Sequence, residues 1–464
     1  MAPEEQIQKK IPRIIGWNLL KCVPALFKDP LETTLQISKK YGDILEFYFN
    51  EKKRFIIVNH PDFVFRILKE NADNYPRNPV NFAKFDPVNK LLLYFLGEGI
   101  FVSEGKKWEL QHTNLKPAFH EEQVRKYYRI IKEETEDLIL RWRKKAHAKE
   151  SVLIEADINL LLLKIMIKTQ FSTTVNIDYL KLSQLVEEVI KGLSIETSNM
   201  NYVRKMVNTI FRLRIPIGVK AKSNLEELEK MVETIITAAE SEGENAGYVL
   251  MKMIEARNKG ELAQSDLRDM IMNFLFAGFD TTATGITWTC QCLSANEEEQ
   301  NKTYSEIKNA LGDRVPHIED LQSMPYLKMV IQEALRLYTP VWSLTRVSVK
   351  EDVINGYPIP RGSYIMISLY SLHRHPDFWE RPYEFYPERF NPDTFKGKAF
   401  VYLPFGQGKR MCIGKPLAMT EMQLILPMLL KEFRFINVVK NPVLDGGIII
   451  KAKKPLLVKL EARS

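Results

Sequence analysis

The chain has little cysteine and no long apolar run. Four of its 464 residues are cysteines, too few to hold a protein of this size together by disulfide bonds. No stretch of about 18 apolar residues is present, as a membrane-spanning helix requires. Residues 1–20 form a polar and basic lead-in without a signal peptide. The sequence therefore predicts no transmembrane helix in this chain and a protein that is either cytoplasmic or peripherally attached to a membrane. Such a protein is either natively soluble or has lost an anchor.

Signatures of nucleotide and nucleic-acid binding are also missing. The chain has no Gly-rich dinucleotide fingerprint, no appended flavin or iron–sulfur module and no nucleic-acid recognition motif. Its net charge of +8 and pI near 9.0 favour acidic partners or an anionic surface. Residues 202–220 mix apolar and basic side chains, which predicts peripheral membrane contact or, equally well, a segment that covers the core.

Hydrophobic periodicity predicts a mainly α fold with a small β subdomain, and no linker divides residues 1–464 into domains. Cys290 and Cys292 fall in a predicted helix and are expected to be buried packing residues. The helices are predicted over residues 124–145, 158–170, 225–241, 266–295, 298–310, 326–337 and 417–433. The strands are predicted over residues 43–49, 54–58, 353–359 and 364–369, with a C-terminal pair around residues 446–447.

Cys412 lies in a loop whose composition favours a thiolate. The loop spans residues 405–414 and reads FGQGKRMCIG. Its three glycines allow tight turns and a close approach of the backbone to a flat ligand, while Phe405 offers an aromatic face and Arg410 a fork for a carboxylate. The apolar run over residues 417–433 predicts a helix whose N-terminal amides point toward Cys412 and lower the pKa of its thiol.

With every specified position filled, this loop resembles the haem-binding loop of the cytochrome P-450 superfamily, and the resemblance extends over nearly the whole chain. It implies a non-covalent haem b, held between a long kinked helix and the helix after the cysteine loop. Cys412 is then the axial ligand of the iron, and Phe405, Arg410 and Gly414 contact the haem. A thiolate ligand favours O–O bond cleavage on haem iron.

Residues 277–282 read AGFDTT and interrupt the predicted helix 266–295. A glycine inside a helix costs about 1 kcal/mol relative to alanine, so Gly278 requires an explanation. The hexapeptide resembles the oxygen-activation motif of the family, which implies that Asp280 and Thr281 help to deliver protons. Ala277 stands where ω-hydroxylases of fatty acids often have a glutamate that becomes esterified to haem, so covalent attachment is not expected. A kinked packing helix is the alternative interpretation.

Glu333 and Arg336 lie three residues apart on one predicted helix face, where they can pair. Alone, such a pair is usually a solvated surface feature. In the family, the corresponding glutamate and arginine form a buried triad with an arginine from a Pro-rich loop, here Arg389. The resemblance therefore implies a structural role for this triad, which holds the cysteine loop in place.

Haem carries two propionates, for which the protein must supply cations and donors. The resemblance places Arg346, Arg410 and the indole N–H of Trp108 at these groups. His112 follows Trp108 by four residues, where many relatives have arginine, and a histidine can change its charge near neutral pH. The substitution predicts that haem affinity or redox potential depends more strongly on pH in this protein.

The distal pocket is predicted to be apolar. Its proposed wall residues are Phe276, Ala277, Val341, Trp342, Leu344 and Ile448. Such walls predict an apolar substrate, for example a fatty acid, a sterol or a terpenoid. Arg410 and the complete triad make the chain resemble the microsomal or long-chain-substrate branch, although bacterial fatty-acid hydroxylases share these features.

The predicted function is a haem-thiolate monooxygenase that takes electrons from an external reductase or ferredoxin and uses NADPH or NADH only indirectly. A generally basic surface is the alternative to a docking face formed by the lysines at positions 106, 107, 409, 415 and 431. Two other functions remain open. A peroxide-using peroxygenase, isomerase or dehydratase needs no proton relay, so the Asp280–Thr281 pair argues against it. A non-catalytic haem-binding or lipid-binding protein would consume no NADPH with any partner.

Overall fold

The computed structural model describes residues 9–50, 53–77, 87–172, 174–197, 219–395 and 400–463. The helices are α1 Gly16–Lys28, α2 Pro30–Tyr41, α3 Pro61–Phe65, α4 Pro87–Leu96, α5 Gly105–Leu115, α6 Glu121–Lys126, α7 Tyr128–His147, α8 Ile154–Met166, α9 Tyr179–Thr197, α10 Val219–Glu242, α11 Tyr248–Asn258, α12 Gln264–Ala277, α13 Asp280–Ala295, α14 Glu297–Leu311, α15 Pro325–Leu337, α16 Leu369–Leu372 and α17 Lys415–Glu432.

The strands are short and form small sheets beside the helices. They are β1 Arg13–Ile14, β2 Ile44–Asn50, β3 Lys53–Val58, β4 Ser151–Leu153, β5 Ser343–Val347, β6 Asp352–Ile354, β7 Tyr357–Ile359, β8 Tyr364–Ser368, β9 Phe433–Asn437, β10 Leu444–Gly446, β11 Ile450–Ala452 and β12 Leu457–Ala462. The largest sheet has the order β1-β2-β3-β8-β5, and smaller sheets are formed by β4-β12-β9, β6-β7 and β10-β11. These elements confirm the predicted mainly α class with a small β part.

Three predicted elements are divided in the structure. The helix predicted over residues 124–145 is α6 and α7, separated at Tyr127, and the helix predicted over 266–295 is α12 and α13. The single strand predicted over 353–359 is wrong, because β6 and β7 pair as an antiparallel hairpin. Asn355 and Gly356 have positive φ angles of 51° and 83°, which reverse the chain between the two strands.

Helices α13 and α17 run through the centre of the molecule. Thirteen of the sixteen residues of α13 are buried, so this helix is covered on nearly all sides. Trp288 stacks on Tyr338 at a centroid distance of 4.1 Å, and its indole N–H donates to the carbonyl of Ile450 at 3.3 Å. Because α13 is held by α15 and by the C-terminal hairpin β10–β11, the residues at its N-terminus have a defined position.

Candidate active site

The loop that carries Cys412 is shaped by two glycines. Gly406 and Gly408 have φ angles of +67° and +79°, a region that other residues rarely adopt. A Cβ at Gly408 would lie 1.9 Å from the carbonyl oxygen of Leu68, so no side chain fits there. The amide of Cys412 donates to the carbonyl of Phe405 at 2.9 Å and closes the loop just before α17.

At Gly414, neither the backbone conformation nor the available space requires a glycine. Its φ angle is −81°, and the nearest atoms to a built Cβ are the Cys412 Sγ at 3.8 Å and the Phe119 ring at 3.9 Å. These are ordinary van der Waals separations, so the polypeptide does not require glycine here. The predicted contact of Gly414 with haem stays a prediction.

Two opposing effects of the surrounding protein act on the pKa of the Cys412 thiol. Residue Cys412 is exposed in the polypeptide, but protein atoms around its sulfur desolvate the thiol, and this burial raises its pKa. The backbone amides of Gly414 and Lys415 and the charge of Lys415 act in the opposite direction. The predicted lowering of the pKa by the helix N-terminus is therefore present, and burial outweighs it in the polypeptide alone.

The structure brings Glu333, Arg336 and Arg389 together. Arg336 donates from Nε and Nη2 to the two carboxylate oxygens of Glu333 at 2.8 and 2.9 Å, and Arg389 Nε donates to Glu333 Oε1 at 2.8 Å. The side chains of Glu333 and Arg336 are fully buried. Arg336 also donates to the backbone carbonyls of His373 and Pro382 at 2.6 and 2.8 Å. The triad thus joins α15 to the segment that follows α16.

A cavity of about 400 Å³ with both apolar and charged lining residues lies beside the cysteine loop, and Arg346, Arg410 and Trp108 line it. The guanidinium of Arg410 lies 4.2 Å from the centre of the Trp108 indole ring and donates to the Ser103 carbonyl at 2.8 Å. Arg410 also forms an ion pair with Glu104. Three of the residues predicted to bind propionates are therefore close together.

Sequence analysis missed four charged residues that line this cavity, of which Arg77 and Glu104 lie beside the predicted arginines; the other two are Asp73 and Glu109. The backbone amide of Arg77 donates to Glu104 Oε1 at 2.9 Å, and its guanidinium donates to the Phe101 carbonyl at 2.8 Å. Neither residue belongs to a local pattern that marks it in the sequence. The tertiary fold alone brings Arg77 to Arg346 and Arg410.

Among the described residues that line the cavity, cations outnumber carboxylates by four to three. Burial, together with the charges of Arg346 and Arg410, lowers the pKa of Arg77 to about 9. Burial and the charge of Arg410 lower the pKa of Arg346 to about 10. The charge of Glu104 acts on all three guanidinium groups, while Asp73 pairs with Lys409, so the arginine cluster can accept further carboxylates. The residues present fit the two propionates of haem.

His112 stacks on Trp108, with a centroid distance of 4.7 Å. Burial, followed by the charges of Lys116 and Arg410, lowers the pKa of His112 below its ordinary value of 6.5. The imidazole is therefore neutral at pH 7. It does not replace the arginine found in many relatives as a cation, and Arg77 supplies a third positive charge instead.

The break between α12 and α13 lies at Gly278 and Phe279. A Cβ at Gly278 would lie 2.7 Å from the Met166 sulfur, which gives this glycine a packing reason as well. The hydroxyl of Thr281 donates to the carbonyl of Ala277 at 2.9 Å, across the break. The predicted kink is present, and Thr281 is tied to the last residue of α12.

Asp280 is buried at the first position of α13 and contacts a lysine that sequence analysis missed. Its Oδ1 lies 3.0 Å from Lys451 Nζ, and the same Nζ lies 3.1 Å from Glu155 Oε1. Burial acts to lower the pKa of Lys451, but the two carboxylates raise it well above its usual value. Lys451 lies in β11, about 170 residues away in sequence, so no motif could have linked it to Asp280.

The predicted pocket residues are spread over three elements. Phe276 is buried at the end of α12 and packs edge-on against Phe101 at a centroid distance of 5.6 Å. The indole of Trp342 donates to the carbonyl of Gly447 at 2.8 Å, which joins the start of β5 to the turn before β11. Leu344 lies beside Gly406 in the cysteine loop. Ala277, Val341 and Ile448 are half-buried.

Several of the predicted docking lysines already have partners. Lys107 contacts Glu98 at 2.8 Å and Asp266 at 2.9 Å. Lys409 pairs with Asp73 at 2.7 Å, and Lys431 donates to the carbonyl of Arg314 at 2.6 Å. These contacts reduce the positive charge offered to an acidic protein. The redox-partner face stays a prediction.

Within the ranges that the structure describes, no helix combines the length and apolar composition needed to cross a bilayer. The segment 202–220, predicted to contact a membrane, lies outside the described residues up to position 218.

Comparison with known proteins agrees with the site geometry. The model of the family described as cytochrome P-450 matches residues 10–460. Similar proteins include the taurochenodeoxycholic 6 alpha-hydroxylase of Sus scrofa, 28% identical over 422 residues that cover 87% of this chain and 81% of that protein. Cytochrome P-450 3A18 of Rattus norvegicus is 28% identical over 443 residues (92% and 87%), and cytochrome P-450 4A10 of the same species is 28% identical over 432 residues (88% and 81%).

These matches extend over almost the whole chain, including the cysteine loop, the triad and the helix break. The cofactor is haem b, and the enzyme acts on apolar substrates with dioxygen and an external redox partner. The chain belongs to the cytochrome P-450 family of haem-thiolate monooxygenases.

Proposed function

We propose that Cys412 is the axial ligand of haem iron and that Arg77, Arg346, Arg410 and Trp108 hold the propionates. When bound, haem supplies the iron that binds and activates dioxygen. The observation that carries this proposal is the cluster of three guanidinium groups in the cavity beside the cysteine loop. Phe405 and the turn at Gly406 give the loop a face that a planar ligand can approach.

We further propose that Asp280 and Thr281 move protons into the distal pocket. Asp280 Oδ1 is buried, and among the described side chains it contacts Lys451 without accepting a well-aligned hydrogen bond. Its remaining acceptor capacity is available for a proton or a water molecule. Lys451 is shared with Glu155, which is about a quarter exposed, so the three groups form a charged path from the surface to Asp280. Thr281 Oγ1, next in the chain, is the group that passes the proton onward.

Asp280→Asn is expected to lower product formation about 10²-fold while NADPH oxidation continues, because an amide cannot supply protons as a carboxyl group can. The measurement is product formed per NADPH consumed, with an external reductase. Asp445→Asn is the matched control, since Asp445 faces Lys451 across β10 and β11 but is exposed. If Asp280→Asn and the wild-type protein formed equal amounts of product per NADPH consumed, this role of Asp280 would be excluded.

The substrate is proposed to be apolar, of the fatty-acid, sterol or terpenoid class. The buried Phe276 and its contact with Phe101 support this class. Similarity to a hydroxylase named for taurochenodeoxycholic acid supports the sterol-like option, and similarity to several other family members keeps the alternatives open.

Titrating the haem-loaded protein with dodecanoic acid, cholesterol and limonene while following the Soret band tests the substrate class. We expect a saturable shift to the high-spin form with one of the three, because an apolar ligand that fits the pocket would exclude water from it. No shift with any probe, together with turnover by hydrogen peroxide alone, would favour the peroxide-using alternative. If Phe276 forms the pocket wall, Phe276→Ala should weaken the binding of the probe that gives the Soret shift by about tenfold.

The finer partner assignments are also proposals. An external reductase or ferredoxin docks near the basic cysteine-loop face, where Lys415 lies 6.0 Å from the Phe405 ring. Residues 202–220 mediate peripheral contact with an anionic membrane, and the basic and apolar composition of this segment supports that assignment.

A further inference from the structure

His373 connects the buried triad to the cysteine loop. It follows α16, is fully buried, and its backbone carbonyl accepts a hydrogen bond of 2.6 Å from Arg336. Arg336 is in turn held by both carboxylate oxygens of Glu333. The backbone of His373 therefore has a fixed position relative to α15.

The imidazole of His373 makes the next link. The backbone amide of Leu403 donates to His373 Nε2 at 2.9 Å, in a fully buried contact. The Leu403 carbonyl accepts from the amide of Gly406 at 3.0 Å, and Phe405 accepts from the amide of Cys412 at 2.9 Å. A continuous series of hydrogen bonds thus runs from the triad through one side chain to the cysteine loop.

The direction of this hydrogen bond requires a neutral imidazole. Burial, followed by the charges of Arg336 and Arg374, lowers the pKa of His373 to about 3, so Nε2 is available as an acceptor. The proton then resides on Nδ1, which has no hydrogen-bond partner among the described residues. A buried donor without a partner is unfavourable, which indicates that the acceptor function of Nε2 is what this position requires.

The rings around His373 do not provide an equivalent constraint. The Trp379 and Tyr402 rings lie at centroid distances of 6.5 and 5.7 Å, so they define the shape of the site. The Tyr402 hydroxyl donates to the carbonyl of Gln332 at 3.0 Å and is directed toward α15. Among the described residues, His373 Nε2 is the acceptor that the Leu403 amide contacts.

We propose that His373 is a positioning residue for the axial cysteine, and that its Nε2 transmits the fixed geometry of the triad to residues 403–412. The proposal rests on the assignment of Cys412 as the haem ligand. Sequence analysis did not identify His373, because its contacts are made across 30 residues to Leu403 and 37 residues to Arg336.

His373→Gln and His373→Leu test the proposal as a pair. Glutamine keeps an acceptor near the position of Nε2, whereas leucine removes it at similar volume. In the haem-loaded protein, we expect His373→Leu to increase amide exchange of peptides containing Leu403 about tenfold, as expected for the loss of one buried hydrogen bond. His373→Leu should also enlarge, at least threefold, the share of the ferrous carbon monoxide complex that has lost its thiolate Soret band. His373→Gln should keep both the amide exchange at Leu403 and the carbon monoxide spectrum close to those of the wild-type protein.

His375→Leu is the control for nonspecific loss of a buried imidazole. His375 Nε2 lies 2.9 Å from Asp43 Oδ1, away from the series of bonds described above, and this contact helps to lower the pKa of Asp43. The control should lower thermal stability without changing exchange at Leu403.

Two outcomes would overturn the role of His373. One is unchanged exchange and an unchanged carbon monoxide spectrum in His373→Leu. The other is an equal loss in His373→Gln and His373→Leu, which would show that the imidazole only fills space. A wild-type protein without any thiolate Soret band would instead contradict the assignment of Cys412, and the amide-exchange comparison would still test His373.

Discussion

Replacing Glu333 by glutamine is expected to give a protein that does not retain haem. Both Arg336 and Arg389 depend on this carboxylate for their charge balance, and the side chains of Glu333 and Arg336 are completely buried. Removing one partner of such a pair leaves buried charge uncompensated, which costs about 3–5 kcal/mol. The haem content of the purified protein and the denaturant midpoint of unfolding measure the effect.

Glu384→Gln is the matched control, since Glu384 lies in the loop that the triad holds but its own side chain is mostly exposed. It pairs with Arg381 at 3.3 Å, and an exposed pair of this kind contributes about 0–1 kcal/mol. The control should therefore keep its haem. If Glu333→Gln also retained haem at the wild-type level, the triad would not support the cysteine loop in the way the structure indicates.

Gly408→Ala is expected to disrupt the cysteine loop more strongly than other glycine substitutions. Alanine at φ +79° is strained, which costs about 1–3 kcal/mol. Its Cβ would also lie 1.9 Å from the carbonyl oxygen of Leu68, and relieving that overlap adds about 1–3 kcal/mol. We expect most of the thiolate-ligated carbon monoxide spectrum to be lost, because the backbone shift is passed to Cys412 four residues later.

Gly105→Ala separates backbone strain from steric overlap. Gly105 has a φ angle of +58°, but no atom lies within 4 Å of a Cβ built there. The strain is thus similar in both variants, and the overlap is present only at Gly408. Similar losses of stability and of the spectrum in the two variants would argue against close packing of the loop on Leu68.

Sequence patterns predicted the site residues best where these residues are close together in the chain. The cysteine loop, the glycine in the long helix and the Glu333–Arg336 pair each lie within ten residues, so their spacing was informative. Boundaries were predicted less well: α6 and α7 separate at Tyr127, and the turn between β6 and β7 depends on the positive φ angle of Asn355.

The residues that sequence analysis missed act through contacts between distant elements. Lys451 reaches Asp280 from a C-terminal strand, and Arg77 reaches Arg346 from an unrelated loop. Each looks like one more basic residue in a chain with 66 lysines and arginines. Only the fold determines which of them face a buried carboxylate or another cation.

The same cluster of arginines bears on how the protein matures in the cell. Besides burial, the charges of neighbouring arginines lower the pKa values of Arg77 and Arg346, so the polypeptide without haem folds against electrostatic repulsion in this cavity. The two propionates of haem relieve that repulsion, so haem binding and the completion of folding are thermodynamically coupled. We therefore expect the haem-free protein to be less stable than the haem-bound protein, and a shortage of haem to favour its proteolysis.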